Sequence, residues 1–195
     1  MKLIDNWSET SEKLVEKQIS TKQLYDGVLL NAWKDEVKLP DGSVSHREYL
    51  KHPGASAILP VFEDGSVLLI GQYRYPLKQA FLEVPAGKLD SGEPPLDTAV
   101  RELKEETGLS AKQWHKVGLF HPCIGYSDEV IHIYTAWNLS ESGINTDDDE
   151  FLSYHRVHFS EALAMVEDGS ITDSKTIITL LRCKNWWDHS GPFNI

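Results

Sequence analysis

Apolar residues follow two periods along the chain: short continuous or alternating runs typical of strands, and a spacing of three to four typical of helices. Residues 55–62 and 67–74, separated by Glu63-Asp64-Gly65-Ser66, read as a buried strand and its antiparallel partner. Residues 81–86 form a short strand that runs into a glycine-containing turn. A helix is predicted over about 94–107, because Pro94-Pro95 suits a first helical turn and Leu96, Ala99, Val100 and Leu103 mark one apolar face. Gly108 is placed to end it in the left-handed region. Further strands are expected over 114–123, 130–137 and 151–157. An amphipathic helix follows from an N-cap at Ser160 to Val166, and a last helix over 174–187 turns Ile177, Ile178, Leu180 and Leu181 inward, with Trp186 and Trp187 in the core or an interface.

Upstream, residues 1–24 read as a loop or short helix. Residues 24–37 are strand-like, Pro40-Asp41-Gly42-Ser43 supplies turn chemistry, and residues 44–50 return as the second strand of a hairpin. The chain thus divides into an N-terminal segment and hairpin, 1–50, and a main α/β domain, 51–195.

Composition narrows the classes. Hydrophobic residues at 41% and charged residues at 25% are ordinary for a globular protein. A formal net charge of -11 excludes nucleic-acid binding through a broad basic surface, which needs clustered lysine and arginine. No apolar run approaches the roughly 20 residues that cross a bilayer, and the acidic N-terminus is unlike a leader or transit peptide. No nucleic-acid or membrane partner is expected. The two cysteines, Cys123 and Cys183, have no spacing of a disulfide framework or zinc site, which suits a reducing cytosol. The eight histidines form no zinc motif and are assigned no role.

The candidate chemistry lies on the helix over 94–107. Glu102, Glu105 and Glu106 stand at i, i+3 and i+4, so three like charges share one helical face. Such a face is either solvated or compensated, by Arg101 in part and by a hard divalent cation such as Mg²⁺, which takes oxygen ligands and substrate phosphates. Gly87, five residues, Glu93, seven residues and then Arg101-Glu102-Leu103-Lys104-Glu105-Glu106-Thr107-Gly108-Leu109 decide between these. This spacing resembles the signature of the Nudix hydrolases, with every defining position present.

The resemblance implies an α/β/α sandwich around a mixed sheet, here with the N-terminal β-hairpin as an extension, and hydrolysis of a nucleoside diphosphate linked to another group. It makes Glu102 and Glu106 Mg²⁺ ligands, places Glu105 near or on the metals, and adds the backbone carbonyl of Ala86. Mn²⁺ could substitute. Arg101 would orient the glutamates, and Glu93 would support the loop. The flanking segments His52-Pro53-Gly54-Ala55, Gln72-Tyr73-Arg74, residues 82–87 and Asp149-Glu150-Phe151 are similar to one branch, the ADP-ribose and nucleoside diphosphate sugar pyrophosphatases. That branch implies splitting of ADP-ribose into AMP and ribose 5-phosphate, and a homodimer built through the N-terminal hairpin. It implies a substrate-binding arginine at Arg74 and a general base at Glu150, with Asp148 and Asp149 as neighbouring carboxylates. On residue type alone, Arg74 is either a phosphate ligand or a surface arginine. Trp33 and Tyr49, with Tyr25, either pack on a core or stack on a base. Glu83, a carboxylate in an apolar stretch, joins the substrate-binding set. Ile124 stands before Gly125 where ADP-ribose enzymes of the branch have proline, which brings in a broader nucleoside diphosphate sugar range, GDP-mannose included. A non-catalytic nucleotide-sensing module would lack signature glutamates or carry a DNA-binding region, and the sequence shows neither.

Overall fold

A computed structural model describes residues 7–143 and 151–193. It contains two compact units.

One unit runs to His52 and takes in Cys123–Glu129. Within it a short helix α1, Trp7–Glu12, precedes three strands, β1 (Lys17–Asp26), β2 (Asn31–Lys38) and β3 (Val44–Leu50), paired antiparallel in that order. The expected hairpin of 44–50 with its partner is present, but the sheet has a third strand where a loop or short helix was expected before residue 24. β1 is exposed along its whole length, so no apolar periodicity announces it; backbone pairing to β2 makes it a strand. Val28-Leu29-Leu30, expected inside a strand, form the turn between β1 and β2, closed by the Gly27 amide on the Leu30 carbonyl at 2.9 Å. The turn at 40–43 is as anticipated. Asp41 accepts from the Ser43 amide and hydroxyl, and Gly42 adopts φ 89°, a left-handed value that favours glycine. Residues 123–129 are tied to the end of β3 by the Leu50 amide on the Tyr126 carbonyl (2.8 Å) and the His52 amide on Asp128 (2.8 Å).

The second unit comprises Pro53–Pro122 and the residues from Val130 onward. Its centre is a mixed four-stranded sheet in the order β7 (Ala86–Lys88), β4 (Ala55–Pro60), β9 (Ile131–Glu141), β8 (Leu109–Phe120), in which β4 and β9 run parallel. A second, antiparallel sheet orders β10 (Leu152–His158), β5 (Ser66–Arg74) and β6 (Gln79–Glu83). Alternation along β4 and β9 gives the mixed sheet two apolar faces. Ile58, Tyr134 and Ala136 meet Ala99 and Leu103 of helix α2 (Pro95–Thr107). Ala57, Leu59, Ile131 and Ile133 meet Phe159 and Ala162 of α3 (Phe159–Glu167) and Leu180, Cys183 and Trp187 of α4 (Ser174–Ser190). This is the expected α/β/α arrangement around a mixed sheet.

Several local expectations change. Leu96 and Val100 lie exposed on α2, whose buried side is Ala99, Leu103, Glu106 and Thr107; the face is rotated because the Glu106 carboxylate, rather than a methyl group, meets the sheet edge. β8 starts at Leu109 and not at residue 114, since Gly108, at φ 68°, turns the chain directly from helix into strand. It stops at Phe120, two residues before Pro122, which has no N–H for a ladder. His158, not Ser160, caps α3, its Nδ1 accepting from the Ser160 amide at 3.4 Å. On α4, Leu181 faces outward while Thr176, Thr179 and Cys183 are buried with Leu180. Trp187 lies in the core as expected, its indole N–H donating to Thr135 Oγ1 at 3.0 Å. Among the described residues no helix is long and apolar enough to cross a membrane.

Leu103 is fully buried between the charged face of α2 and the mixed sheet. Leu103→Ala is expected to lower unfolding free energy by about 2–5 kcal/mol, as cavity-forming substitutions do, read by urea denaturation followed by circular dichroism.

Candidate active site

Two charged clusters lie in the second unit. The first is built on α2 and the turn before it. Arg101 donates from Nε and Nη2 to the two oxygens of Glu93 (3.0 and 2.9 Å), from Nη1 to Glu102 (2.8 Å) and Glu105 (3.0 Å), and from Nη2 to the Lys88 carbonyl (3.2 Å). One planar guanidinium therefore binds three carboxylates and the turn backbone, a use of its fixed fork that lysine could not reproduce. Glu93 also accepts from the Asp90 amide (3.1 Å) and Thr98 Oγ1 (2.8 Å), which pins the glycine turn to the first turn of the helix. Its carboxyl is held down to about 2, first by Arg101, against the opposing effect of burial.

Glu106 stands outside these bonds of Arg101 and instead reaches the strand edge beside Glu102. It is 3% exposed and accepts the Ala86 amide at 2.9 Å, so the last glutamate of the face is tied to the first residue of β7. Glu102 occupies the space that a side chain at residue 87 would need; a Cβ built on Gly87 would fall 1.8 Å from Glu102 Oε1. Glycine here is a requirement of close approach rather than of a positive φ.

The second cluster centres on Glu83, at the end of β6 and 1% exposed. Arg74, at the end of β5, donates from Nε to Oε1 at 2.7 Å and from Nη2 to Oε2. Lys175, from the first turn of α4, also donates to Oε2 and reaches Asp173 at 3.0 Å. Asp173 caps α4 through the Thr176 amide (3.0 Å) and hydroxyl (2.6 Å), and Thr176 Oγ1 accepts the Val84 amide at 2.9 Å. The bond to Glu83, together with the fields of Asp173 and Glu106, holds Arg74 more firmly in its charged form. Glu83 of this cluster and Ala86, which donates to Glu106, stand three residues apart in the chain.

The structure thus brings together Arg74, Glu83, Ala86, Arg101, Glu102, Glu105 and Glu106 on the second unit. Trp33 and Tyr49 belong to the first unit, where they are direct cross-strand partners on β2 and β3. Trp33 donates to Asn31 Oδ1 at 2.7 Å beneath the Lys51 ammonium, and the Tyr49 hydroxyl lies 3.3 Å from Asp35. Glu150, Asp148 and Asp149 lie outside the described residues. Sequence reasoning missed Lys175, Asp173 and Thr176. Their available signal was an aspartate at the N-cap position three residues before Thr176, which marks a helix start but not what that start grips.

Among the described residues no three His, Cys, Asp or Glu side chains already converge as a metal cage. Glu102 and Glu105 are turned to Arg101, and Glu106 to a backbone amide. The donor set is nonetheless all oxygen, and Gly87, lacking a Cβ, lets the Glu102 carboxylate close on the turn backbone, which together suit a hard divalent cation. A separate cavity of about 710 Å³, lined in part by Tyr73, Phe81, Leu82, Ser153 and His155, takes no residue from either charged cluster.

A mixed sheet between helices, with the Gly87–Leu109 signature forming the turn and carboxylate helix, defines the class. Residues 50–179 match the NUDIX domain, and the chain belongs to that family of hydrolases. An ADP-ribose pyrophosphatase of Bacillus subtilis (strain 168) is 41% identical over 167 residues, 85% of this chain and 90% of its own. A methanol dehydrogenase activator of Bacillus methanolicus is 40% identical over 167 residues, with the same 85% and 90% covered. The crystal structure of an ADP compounds hydrolase superposes with a TM-score of 0.81 over 91% of this chain and 97% of its own, and at 20% identity shows the shared fold.

The Glu93–Arg101 pair carries a pH signature. A carboxyl whose folded pKa is depressed from 4.5 to about 2 contributes stability that is complete above about pH 4.5 and is lost as pH falls toward about 2. The stability difference between wild type and Glu93→Gln is expected to be largest above about pH 5 and to shrink steadily toward about pH 3 in urea unfolding series. A difference independent of pH would remove the ion pair as its source.

Proposed function

We propose that this protein hydrolyses the diphosphate of ADP-ribose, giving AMP and ribose 5-phosphate, with Mg²⁺ as cofactor and Mn²⁺ able to replace it. The observation that carries the reading is the carboxylate face of α2, held by Arg101 against the side-chain-free backbone of Gly87. The 41% identical ADP-ribose pyrophosphatase supports the substrate. Glu102, Glu106 and the Ala86 carbonyl would hold the cation, with Glu105 near or on it. Bound there, divalent cations neutralise the diphosphate and lower the pKa of an attacking water.

The chain's own residues do the rest. Arg101 keeps the glutamates in place between turnovers. Arg74 binds a phosphate oxygen, with Glu83 fixing its direction. Glu150 takes the proton of the water as its oxygen attacks phosphorus and the bridging P–O bond breaks. Trp33 and Tyr49 offer flat surfaces for the base within a homodimer, whose contact is supported by the exposed Ile19, Leu24 and Tyr25 of β1 and Val28 and Leu29 of the turn after it. On a chain of net charge -11 an anionic substrate needs such local positive charge. Two free cysteines support a reducing, cytosolic setting.

Purified protein with Mg²⁺ should show its highest kcat/KM on ADP-ribose in a panel with GDP-mannose, other nucleoside diphosphate sugars and nucleoside triphosphates. Preference for a triphosphate would overturn the reading, and preference for GDP-mannose would move it to the broader sugar class. Gly87→Ala separates function from folding. The atoms its Cβ meets are the end of the flexible Glu102 side chain, so stability should change by less than about 1 kcal/mol. Displacement of that carboxylate should lower kcat/KM about tenfold or more. An unchanged rate would deny Glu102 its role.

A further inference from the structure

Glu83 is a buried carboxylate served by two cations, and only one of them, Arg74, belongs to the expected substrate-binding set. Arg74 uses its Nε and Nη2 edge on Glu83, while among the described residues no acceptor is found for Nη1. Its side chain is 43% exposed, against 14% for Lys175, so Arg74 is the solvent-facing cation of the pair and Lys175 the one behind. The charges of Arg74, Lys175, Glu83 and Asp173 sum to zero. Without Lys175 the same cluster carries a net negative charge, and the whole of Glu83 falls to Arg74.

We propose that Lys175 is a positioning residue for the substrate diphosphate. By sharing Glu83 Oε2 it keeps Arg74 on the side-on edge of that carboxylate and leaves Nη1, with its charge not fully neutralised, for a phosphate oxygen. The support is built into α4. Asp173 and Thr176 fasten the helix start to Lys175 and to the Val84 amide, so one helical turn grips both the side chain of residue 83 and the backbone that follows it. This rests on the reading that Arg74 meets the diphosphate of the substrate.

The test is steady-state kinetics at saturating Mg²⁺ on the diphosphate of the panel that the wild type turns over best. Lys175→Met should raise KM about tenfold with kcat within about threefold of wild type, and Lys175→Arg should restore most of it. In an Arg74→Ala background the same Lys175→Met change should add nothing to KM, the mark of action through Arg74. Asp173→Asn keeps a good helix cap but removes one negative charge, so KM should fall, about threefold. A purely structural role would move KM upward in both the Lys175 and Asp173 variants. If Lys175→Met does not fold by circular dichroism, the opposite signs expected of Lys175→Gln and Asp173→Asn carry the same test.

A KM within about twofold of wild type in the lysine variant, independent multiplication of the Lys175 and Arg74 effects, or a rise in KM for Asp173→Asn would each overturn the assignment. A wild type that prefers GDP-mannose but shows this KM pattern would overturn the ADP-ribose reading and uphold Lys175. A wild type that turns over no diphosphate of the panel would overturn both.

Discussion

Everything at the site depends on the repulsion among three glutamates on one helix and on the arginine that contains it. On an isolated helix each like-charged pair costs only about 0.2–0.5 kcal/mol, which Arg101 offsets through Glu102 and Glu105. Glu106 is a harder case, because it is nearly buried and a desolvated carboxylate needs a specific donor. The Ala86 amide is that donor, so the same contact that makes the burial tolerable also fixes the edge of the sheet against the helix. The remaining edge of Arg101 goes to Glu93 and the Lys88 carbonyl, and the turn from Gly87 to Glu93 is thereby held by the helix it precedes.

The mixed sheet lets this be done on two sides at once. Its parallel pair β4 and β9 is apolar on both faces, so α2 packs on one and α3 and α4 on the other. The segment Glu83–Ala86 passes between the two sheets, gripped from the α4 side by Lys175 and Thr176 and from the α2 side by Glu106. Three of these four residues thus bond to one helix or the other, and the carbonyl of the fourth, Pro85, accepts from Ile58 of β4. Carboxylates are thereby gathered on one side of the segment and an arginine on the other.

The sequence carried the carboxylate helix almost completely. Spacing alone places Glu102, Glu105 and Glu106 within little more than one turn of helix, Pro94-Pro95 opens it and Gly108 closes it, because these are local rules of backbone geometry. The same rules failed where burial was decided from outside the element. Leu96 and Val100 look like core positions on α2, yet Glu106 takes the buried side because β7 offers an amide there. β1 was not legible, since an exposed polar strand is defined by its neighbour's hydrogen bonds and not by its own pattern. Likewise Lys175 reads as an ordinary first-turn lysine, and nothing about residue 175 announces a partner 92 residues earlier.

What the sequence by itself determined is therefore the Nudix signature, the helix that bears it and the order of apolar strands, each set by spacing within a few residues. Only the tertiary structure decided which face of that helix is buried, that Gly87 is needed for the approach of Glu102, and that Glu83 is shared by Arg74 and Lys175. Those contacts join residues far apart in the chain. A charged side chain takes its partner from whatever donor or acceptor the packed sheets bring within about 3 Å, a distance that sequence spacing does not contain.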